Sequence, residues 1–173
     1  MALGFVIIAH KNPQQVRRVF SAIYRPQDVV VLHFDRRSPR ELHDLGRDLV
    51  EKHENVILLP PRSIVWGGFQ AAQVQLEAMK TALKANGRWH HFINLSGQDF
   101  SLKSIDALDE YLRQRQAYSF LNWFEPLNSN LWKNARERID RYYLAEPWLD
   151  RILKVRGFGR RLRKLLGWQN RLP

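Results

Sequence analysis

Short apolar runs alternate along the chain with segments whose apolar residues recur every three or four positions. The runs lie at residues 4–9, 28–35, 55–59 and 91–95. The first run, residues 4–9, is apolar throughout, which is typical of a parallel strand covered on both faces. The segments between them predict amphipathic helices, the first of which buries a stripe from Val16 to Ile23. Strand and helix in alternation predict an α/β fold, a Rossmann-like, mostly parallel sheet flanked by helices.

Residues with known positional preferences mark the ends of several predicted helices. Asn12 is suited to cap the first helix. Ser38 and Glu41 stand in the S-x-x-E arrangement, which predicts that their side chains satisfy the first turn of the second helix. The Asn-Gly pair at 86–87 ends a long third helix, and a fourth helix is predicted near residues 104–115.

The pattern weakens towards the C-terminal end of the chain. Residues 118–124 are a candidate fifth strand, whereas residues 136–144 fit a strand and a helix equally well. We therefore predict one α/β domain over residues 1–132 and a separate basic segment over residues 133–173 that leads into a further part of the protein.

The net charge of +11 is concentrated in that basic segment. Residues 133–173 hold 12 of the 28 basic and 4 of the 17 acidic side chains, a net +8, so residues 1–132 carry only +3. This distribution argues against nucleic acid as a partner of the whole domain. The amphipathic stretch 148–168 fits two interpretations: it binds an anionic membrane surface, or it packs against another part of the protein.

The chain has no cysteine, which excludes disulfides, thiolate metal sites and a cysteine nucleophile, and favours a reducing compartment. Residues 1–9 are apolar but lack a basic leader, unlike a signal peptide, and no segment reaches the ~20 apolar residues of a spanning helix. His90 and His91 are adjacent, so on a strand they are expected to face opposite sides, and no metal site is predicted.

Charged, aromatic and glycine-rich groups follow the predicted strands. They are His10 with Lys11, Asp35 with Arg36 and Arg37, Trp66 with Gly67 and Gly68, and the residues 96–99. Ligands of parallel α/β sheets bind at the carboxyl ends of the strands, where these loops meet. The coincidence predicts a ligand site along this edge of the sheet.

Each group also has a purely structural interpretation. His10 can be a polar exit from a buried strand, Asp35 a turn residue, and Asp99 the cap of the next helix. Trp66 next to Gly67 favours a ligand more strongly, because glycine lets the backbone approach a ligand and an indole offers a flat face for stacking.

Four segments carry a family resemblance, in family order. They are residues 6–11 (VIIAHK), a first strand; 31–38 (VLHFDRRS), similar to an H-x-D-K/R-K/R-S motif; 65–68 (VWGG), an aromatic-glycine loop; and 92–100 (FINLSGQDF), similar to an I-N-L-S/C-G-x-D-F/Y block. Over residues 3–124 the chain resembles the donor-binding part of core-2/I-branching β-1,6-N-acetylglucosaminyltransferases and peptide O-xylosyltransferases.

The resemblance implies a GT-A-like fold and an inverting, metal-independent transfer from a UDP-sugar, such as UDP-N-acetylglucosamine or UDP-xylose, to a hydroxyl of a glycan or protein. The nucleotide-sugar-binding residues that it implies are Ala9, His10, Asp35, Arg37, Trp66, Gly67 and Asp99. Asp99 would lie towards the sugar and the others towards the uridine. Family members of the Golgi lumen carry cysteines, so the absence of cysteine from this chain implies a bacterial cytoplasmic protein.

Two departures from the family pattern bear on activity. Ser101 stands where the family usually has proline, and the family's catalytic glutamate and diphosphate-neutralising basic residues would lie beyond Pro173. We therefore expect little transferase activity from this chain alone. A non-catalytic module that binds a nucleotide sugar or a polyanion is the alternative, whereas an NAD-dependent oxidoreductase is disfavoured because no G-x-G-x-x-G follows the first strand.

Overall fold

The computed structural model describes residues 2–65, 68–85, 87–121 and 125. Its elements are β1 (Ala2–Ala9), α1 (Pro13–Ile23), β2 (Val29–Phe34), α2 (Arg40–Lys52), β3 (Val56–Leu58), α3 (Gln70–Ala85), β4 (Trp89–Ser96) and α4 (Ile105–Arg113). Of the described residues, 2–64 and 72–118 form one compact unit and the others belong to a second. Within the described part of the chain, no helix is long and apolar enough to cross a membrane.

The four strands form an all-parallel sheet in the order β3-β2-β1-β4, which confirms the predicted α/β fold. On one face, side chains of β1 and β2 pack with α1, α2 and Leu112 of α4. On the other face, Val6 and Val31 pack with the buried residues Val74 and Ala78 of α3. Because both faces are covered, the central strands β1 and β2 are apolar except at His33.

The two predicted helix starts have different outcomes. Asn12 caps α1 as predicted: with φ of 55°, it accepts a hydrogen bond from the amide of Gln15 at 3.2 Å. The predicted capping box of Ser38 and Glu41 is wrong, because α2 begins at Arg40 and no side chain caps it. The amide of Ser38 instead closes a turn onto the carbonyl of Asp35 at 2.9 Å, and its hydroxyl is buried without a partner among the described residues.

The predicted fifth strand is wrong over residues 118–121, which are irregular and follow a hydrogen-bonded turn after α4. Tyr118 and Leu121 are exposed there, so their apolar character does not reflect burial in a sheet. Residues 122–124, 136–144 and 148–168 lie outside the described residues, as does the predicted domain boundary at residue 132, which stays a prediction.

A buried ionic cluster lies at the amino ends of the strands. The guanidinium of Arg25 binds Asp28 through Nε at 2.7 Å and through Nη2 at 3.0 Å, and its Nη1 contacts Asp106 and Asp109, each at 3.0 Å. Asp28 in turn accepts the amide of Leu3 at 2.8 Å. One side chain thereby joins the end of α1, the start of β1 and α4.

The two adjacent histidines belong to the same cluster, and the expectation that they face opposite sides is wrong. Their Nδ1 atoms lie 2.8 Å apart. The cause is a bulge at the start of β4: Ala2 pairs with Trp89 and Leu3 with His91, so His90 is an extra residue that breaks the alternation.

The outer ring nitrogens of this histidine pair also have partners. Nε2 of His90 lies 2.8 Å from a carboxylate oxygen of Asp109, and Nε2 of His91 lies 3.1 Å from the carbonyl of Tyr118. Asp109 also accepts Nη2 of Arg113 of α4 at 2.9 Å, so His90 shares this carboxylate with Arg25 and Arg113.

Candidate functional site

The carboxyl ends of β2, β1 and β4 lie side by side, because these strands are neighbours in the sheet. Two hydrogen bonds join their exit loops directly. The amide of Asp35 donates to the carbonyl of Ala9 at 3.1 Å, and the amide of Gly97 donates to the carbonyl of Ile8 at 3.0 Å. The structure therefore brings Ala9, Asp35 and the turn that contains Asp99 to one edge.

Asp35 has a carboxylate that is nearly buried and fully hydrogen-bonded within the chain. Oδ1 accepts the amide and Nε of Arg37, at 2.8 and 3.1 Å, and Oδ2 accepts the amide of Ile64 at 2.7 Å and Nη2 of Arg37 at 3.2 Å. Burial opposes the charge, but the hydrogen bonds from Arg37 and Ile64 outweigh it and lower the pKa of Asp35 to about 2. The carboxylate is therefore ionised at neutral pH.

The guanidinium of Arg37 covers this carboxylate from the solvent side. Its side chain is 66% exposed, and Nη2 also donates to the carbonyl of Ile64 at 2.6 Å. Hydrogen bonding to Asp35 raises the pKa of Arg37. We call the arrangement of Asp35, Arg37 and Ile64 the Asp35 clasp.

The turn of residues 96–99 is held by its own side chains. Oδ2 of Asp99 accepts the amide of Ser96 at 2.6 Å, and the hydroxyl of Ser96 accepts the amide of Gln98 at 3.2 Å. Asp99 does not cap the following helix, because Ser104 caps α4 by accepting the amide of Ala107. The exposed Oδ1 of Asp99 accepts no hydrogen bond from the described residues.

Gly97 allows this turn to lie against the end of β1. A Cβ atom at position 97 would lie 2.7 Å from Cβ of Ala9 and 3.1 Å from Cγ2 of Val16. Both neighbours are short, buried side chains that cannot rotate away from the new methyl group.

Gly97→Ala is therefore expected to lower the free energy of unfolding by about 1–3 kcal/mol through overpacking. Chemical denaturation measures the loss. Ala9→Gly removes the nearest colliding atom, so the double variant should be more stable than the sum of the two single changes predicts. Strict additivity would contradict the proposed collision.

The remaining predicted site residues are less well placed. His10 follows β1 with an exposed side chain, whereas Trp66 and Gly67 lie outside the described residues. In the described ranges, no three His, Cys, Asp or Glu side chains are close enough to hold a metal ion. Sequence reasoning missed Ile64 and His33, whose buried ring accepts the amide of Arg62 next to the clasp. The sequence signal that could have identified His33 is a histidine in an otherwise apolar strand.

The sequence profile of the core-2/I-branching enzyme family matches residues 3–155. The chain belongs to this family. The four motifs quoted from the sequence all lie in the matched range, which confirms the resemblance drawn from them.

Individual relatives are glycosyltransferases of two kinds. A probable β-1,3-galactosyl-O-glycosyl-glycoprotein β-1,6-N-acetylglucosaminyltransferase 7 of Sus scrofa is 30% identical over 114 residues, which are 65% of this chain and 27% of the relative. Xylosyltransferase oxt of Drosophila pseudoobscura pseudoobscura is 33% identical over 62% of this chain and 12% of its own length. Xylosyltransferase 2 of Canis lupus familiaris is 28% identical over 90% of this chain and 20% of its own length. The chain thus spans about a quarter or less of these relatives.

Proposed function

We propose that the edge formed by Ala9, the Asp35 clasp and the turn 96–99 binds the UDP portion of a UDP-sugar. The chain would then serve as the donor-binding part of an inverting glycosyltransferase. The observation that carries the proposal is the clasp itself, an ionised carboxylate held between strand ends and covered by an exposed arginine. Family membership supports sugar transfer, and UDP-N-acetylglucosamine and UDP-xylose are the donors that the two kinds of relative suggest.

The clasp suggests how a nucleotide would enter. All four acceptor positions of the Asp35 carboxylate are filled, two of them by the guanidinium of Arg37. Because that guanidinium is exposed, uracil or ribose N–H and O–H groups can replace it, while the amides of Arg37 and Ile64 keep the carboxylate charged. The displaced guanidinium is then free to bind a diphosphate oxygen, as its planar donor fork favours.

The roles that we propose for the other residues follow the family resemblance. We place Trp66 and Gly67 as a stacking loop for the uracil ring, His10 and the Ala9 backbone beside the uridine, and Asp99 near the sugar. The exposed Oδ1 of Asp99 suits a sugar hydroxyl as hydrogen-bond donor. Inverting transfer also needs a general base and positive charge at the leaving diphosphate, and we assign neither role to a described residue.

Isothermal titration with UDP tests the proposal. We expect saturable binding that Asp35→Asn weakens by about tenfold or more, because the variant loses charge-assisted hydrogen bonds. Asp44→Asn is the matched control: it makes the same charge change at an exposed position of α2 and should alter the affinity by no more than about twofold. Equal affinities for the two variants would contradict the site.

Two further ligands separate the alternatives. Binding of NAD instead of UDP would favour an oxidoreductase. Salt-sensitive binding of heparin, without selectivity for UDP, would favour a polyanion-binding module. Association of residues 148–168 with an anionic membrane surface stays a prediction, because that stretch lies outside the described residues.

A further inference from the structure

Two prolines interrupt the pairing of β3 with β2 just before the clasp. The amide of Leu59 donates to the carbonyl of Leu32 at 2.9 Å, the last regular bond of this parallel ladder. The next amide on the same side would belong to Pro61, which has no N–H. Pairing resumes as an isolated bridge between Asp35 and Arg62, where the amide of Arg36 donates to the carbonyl of Arg62 at 3.0 Å.

The side chain of His33 supplies an acceptor inside this gap. Its Nε2 accepts the amide of Arg62 at 3.3 Å, so the ring carries its proton on Nδ1. The ring is fully buried. Burial lowers the pKa of His33, and the nearby charge of Asp35 opposes this only in part, so the ring is neutral and Nε2 stays an acceptor.

This histidine is a poor choice if stability alone selects the residue. The Nδ1–H group is buried without a hydrogen-bond partner among the described residues, an arrangement that costs about 1–3 kcal/mol. The one bond that the ring accepts is long. An apolar side chain would suit a strand that reads VVVLHF and is buried along its whole length.

The segment that His33 holds is the one that completes the clasp. Arg62 lies two residues before Ile64, whose amide binds Asp35 and whose carbonyl binds Arg37. Among the described residues, the side chain of Arg62 adds one anchor, an ion pair with Glu77 of α3 at 2.7 Å. Loss of the Nε2 acceptor would let the backbone of residues 60–64 shift and would misplace both contacts of Ile64.

We propose that His33 is a positioning residue of the donor site, whose Nε2 accepts the Arg62 amide where Pro61 breaks the ladder and thereby fixes Ile64 in the Asp35 clasp. The effect on UDP rests on the proposed function, whereas the effect on the clasp does not. His33 acts through Arg62 and Ile64, and among the described residues it makes no hydrogen bond to the carboxylate of Asp35.

Two substitutions separate this role from a general contribution to packing. His33→Gln keeps an acceptor oxygen near the position of Nε2, whereas His33→Leu fills the space without one. We expect His33→Leu to retain a melting temperature close to that of the wild type, to lose hydrogen-exchange protection at the amides of Arg62 and Ile64, and to weaken UDP binding by about fivefold. His33→Gln should restore protection and affinity.

A pH titration followed by amide NMR gives a readout that packing alone would not change. Protonation turns Nε2 into a donor facing the Arg62 amide, so that amide signal should shift in acid, at a pH below the ordinary histidine range because burial lowers the pKa of His33. The titratable and charged groups around the ring are Asp35, Arg62, Glu77 and His43. The shift should vanish in His33→Gln if His33 is its source.

The outcomes distinguish the two proposals. Wild-type exchange at Arg62 and Ile64 in His33→Leu would overturn the positioning role, whatever UDP does. Loss of protection with no UDP binding by the wild type would leave the positioning of the clasp intact and overturn the proposed function. If His33→Leu does not fold, the acid shift of Arg62 and its loss in His33→Gln decide the question, and a shift that persists in His33→Gln overturns the role.

Discussion

Replacing Arg25 by methionine is expected to lower the free energy of unfolding by about 3–5 kcal/mol. The methionine fills much of the space of the side chain but leaves Asp28 and Asp109, which are 0% and 7% exposed, without their shared cation. Burial opposes the charge of Arg25, but hydrogen bonds to Asp28, Asp106 and Asp109 outweigh it and raise its pKa. Removing this cation therefore leaves buried carboxylates without a counter-charge, which is strongly destabilising.

Chemical denaturation of the variant beside Arg113→Met provides the measurement and its control. Arg113 also binds Asp109, at 2.9 Å, but its side chain is 45% exposed and makes no other ion pair with the described residues. Exposed ion pairs contribute about 0–1 kcal/mol, so the control should be only slightly destabilised. Equal losses in the two variants would show that Arg25 does not hold the cluster together.

The sequence could not have shown this cluster, although it showed the sheet that the cluster supports. The strands are visible because each is a local apolar run, and their parallel pairing follows from the helices between them. Arg25, by contrast, meets Asp106 and Asp109 across 81 and 84 residues, and no spacing rule connects such positions. The bulge at His90 was hidden for a related reason, because strand alternation assumes an unbroken register.

The candidate site, too, was only partly predictable from the sequence. The positions of Asp35 and Asp99 at strand ends were predictable, because parallel strands expose their carboxyl ends along one edge. The complete hydrogen bonding of Asp35 was not predictable, because its partner Ile64 comes from a loop 29 residues further on. The capping box failed because the turn that starts at Asp35 already uses the amide of Ser38 and places that serine one residue before the cap position.

Acid is expected to remove about 5 kcal/mol of stability between about pH 5 and pH 1, and two carboxyls of the described residues whose pKa values are lowered to about 2 account for it. Burial opposes the charge of Asp109, but hydrogen bonds from His90, Arg113 and Arg25 outweigh it and lower its pKa to about 2, as for Asp35. The ordinary value is 3.8, and one pKa unit corresponds to about 1.4 kcal/mol, so each carboxyl contributes about 2.5 kcal/mol.

The sign follows from where the protons bind. An unfolded carboxyl with a pKa near 4 takes up a proton before the folded one does, so the stabilisation is present above about pH 5 and is lost as the pH falls through 2 towards 1. Urea denaturation at a series of pH values measures the slope. Asp35→Asn and Asp109→Asn should each be less stable at neutral pH and lose about half of this acid dependence, whereas Asp44→Asn, at an exposed position of α2, should keep it. A wild-type slope in both site variants would mean that other groups bind the protons.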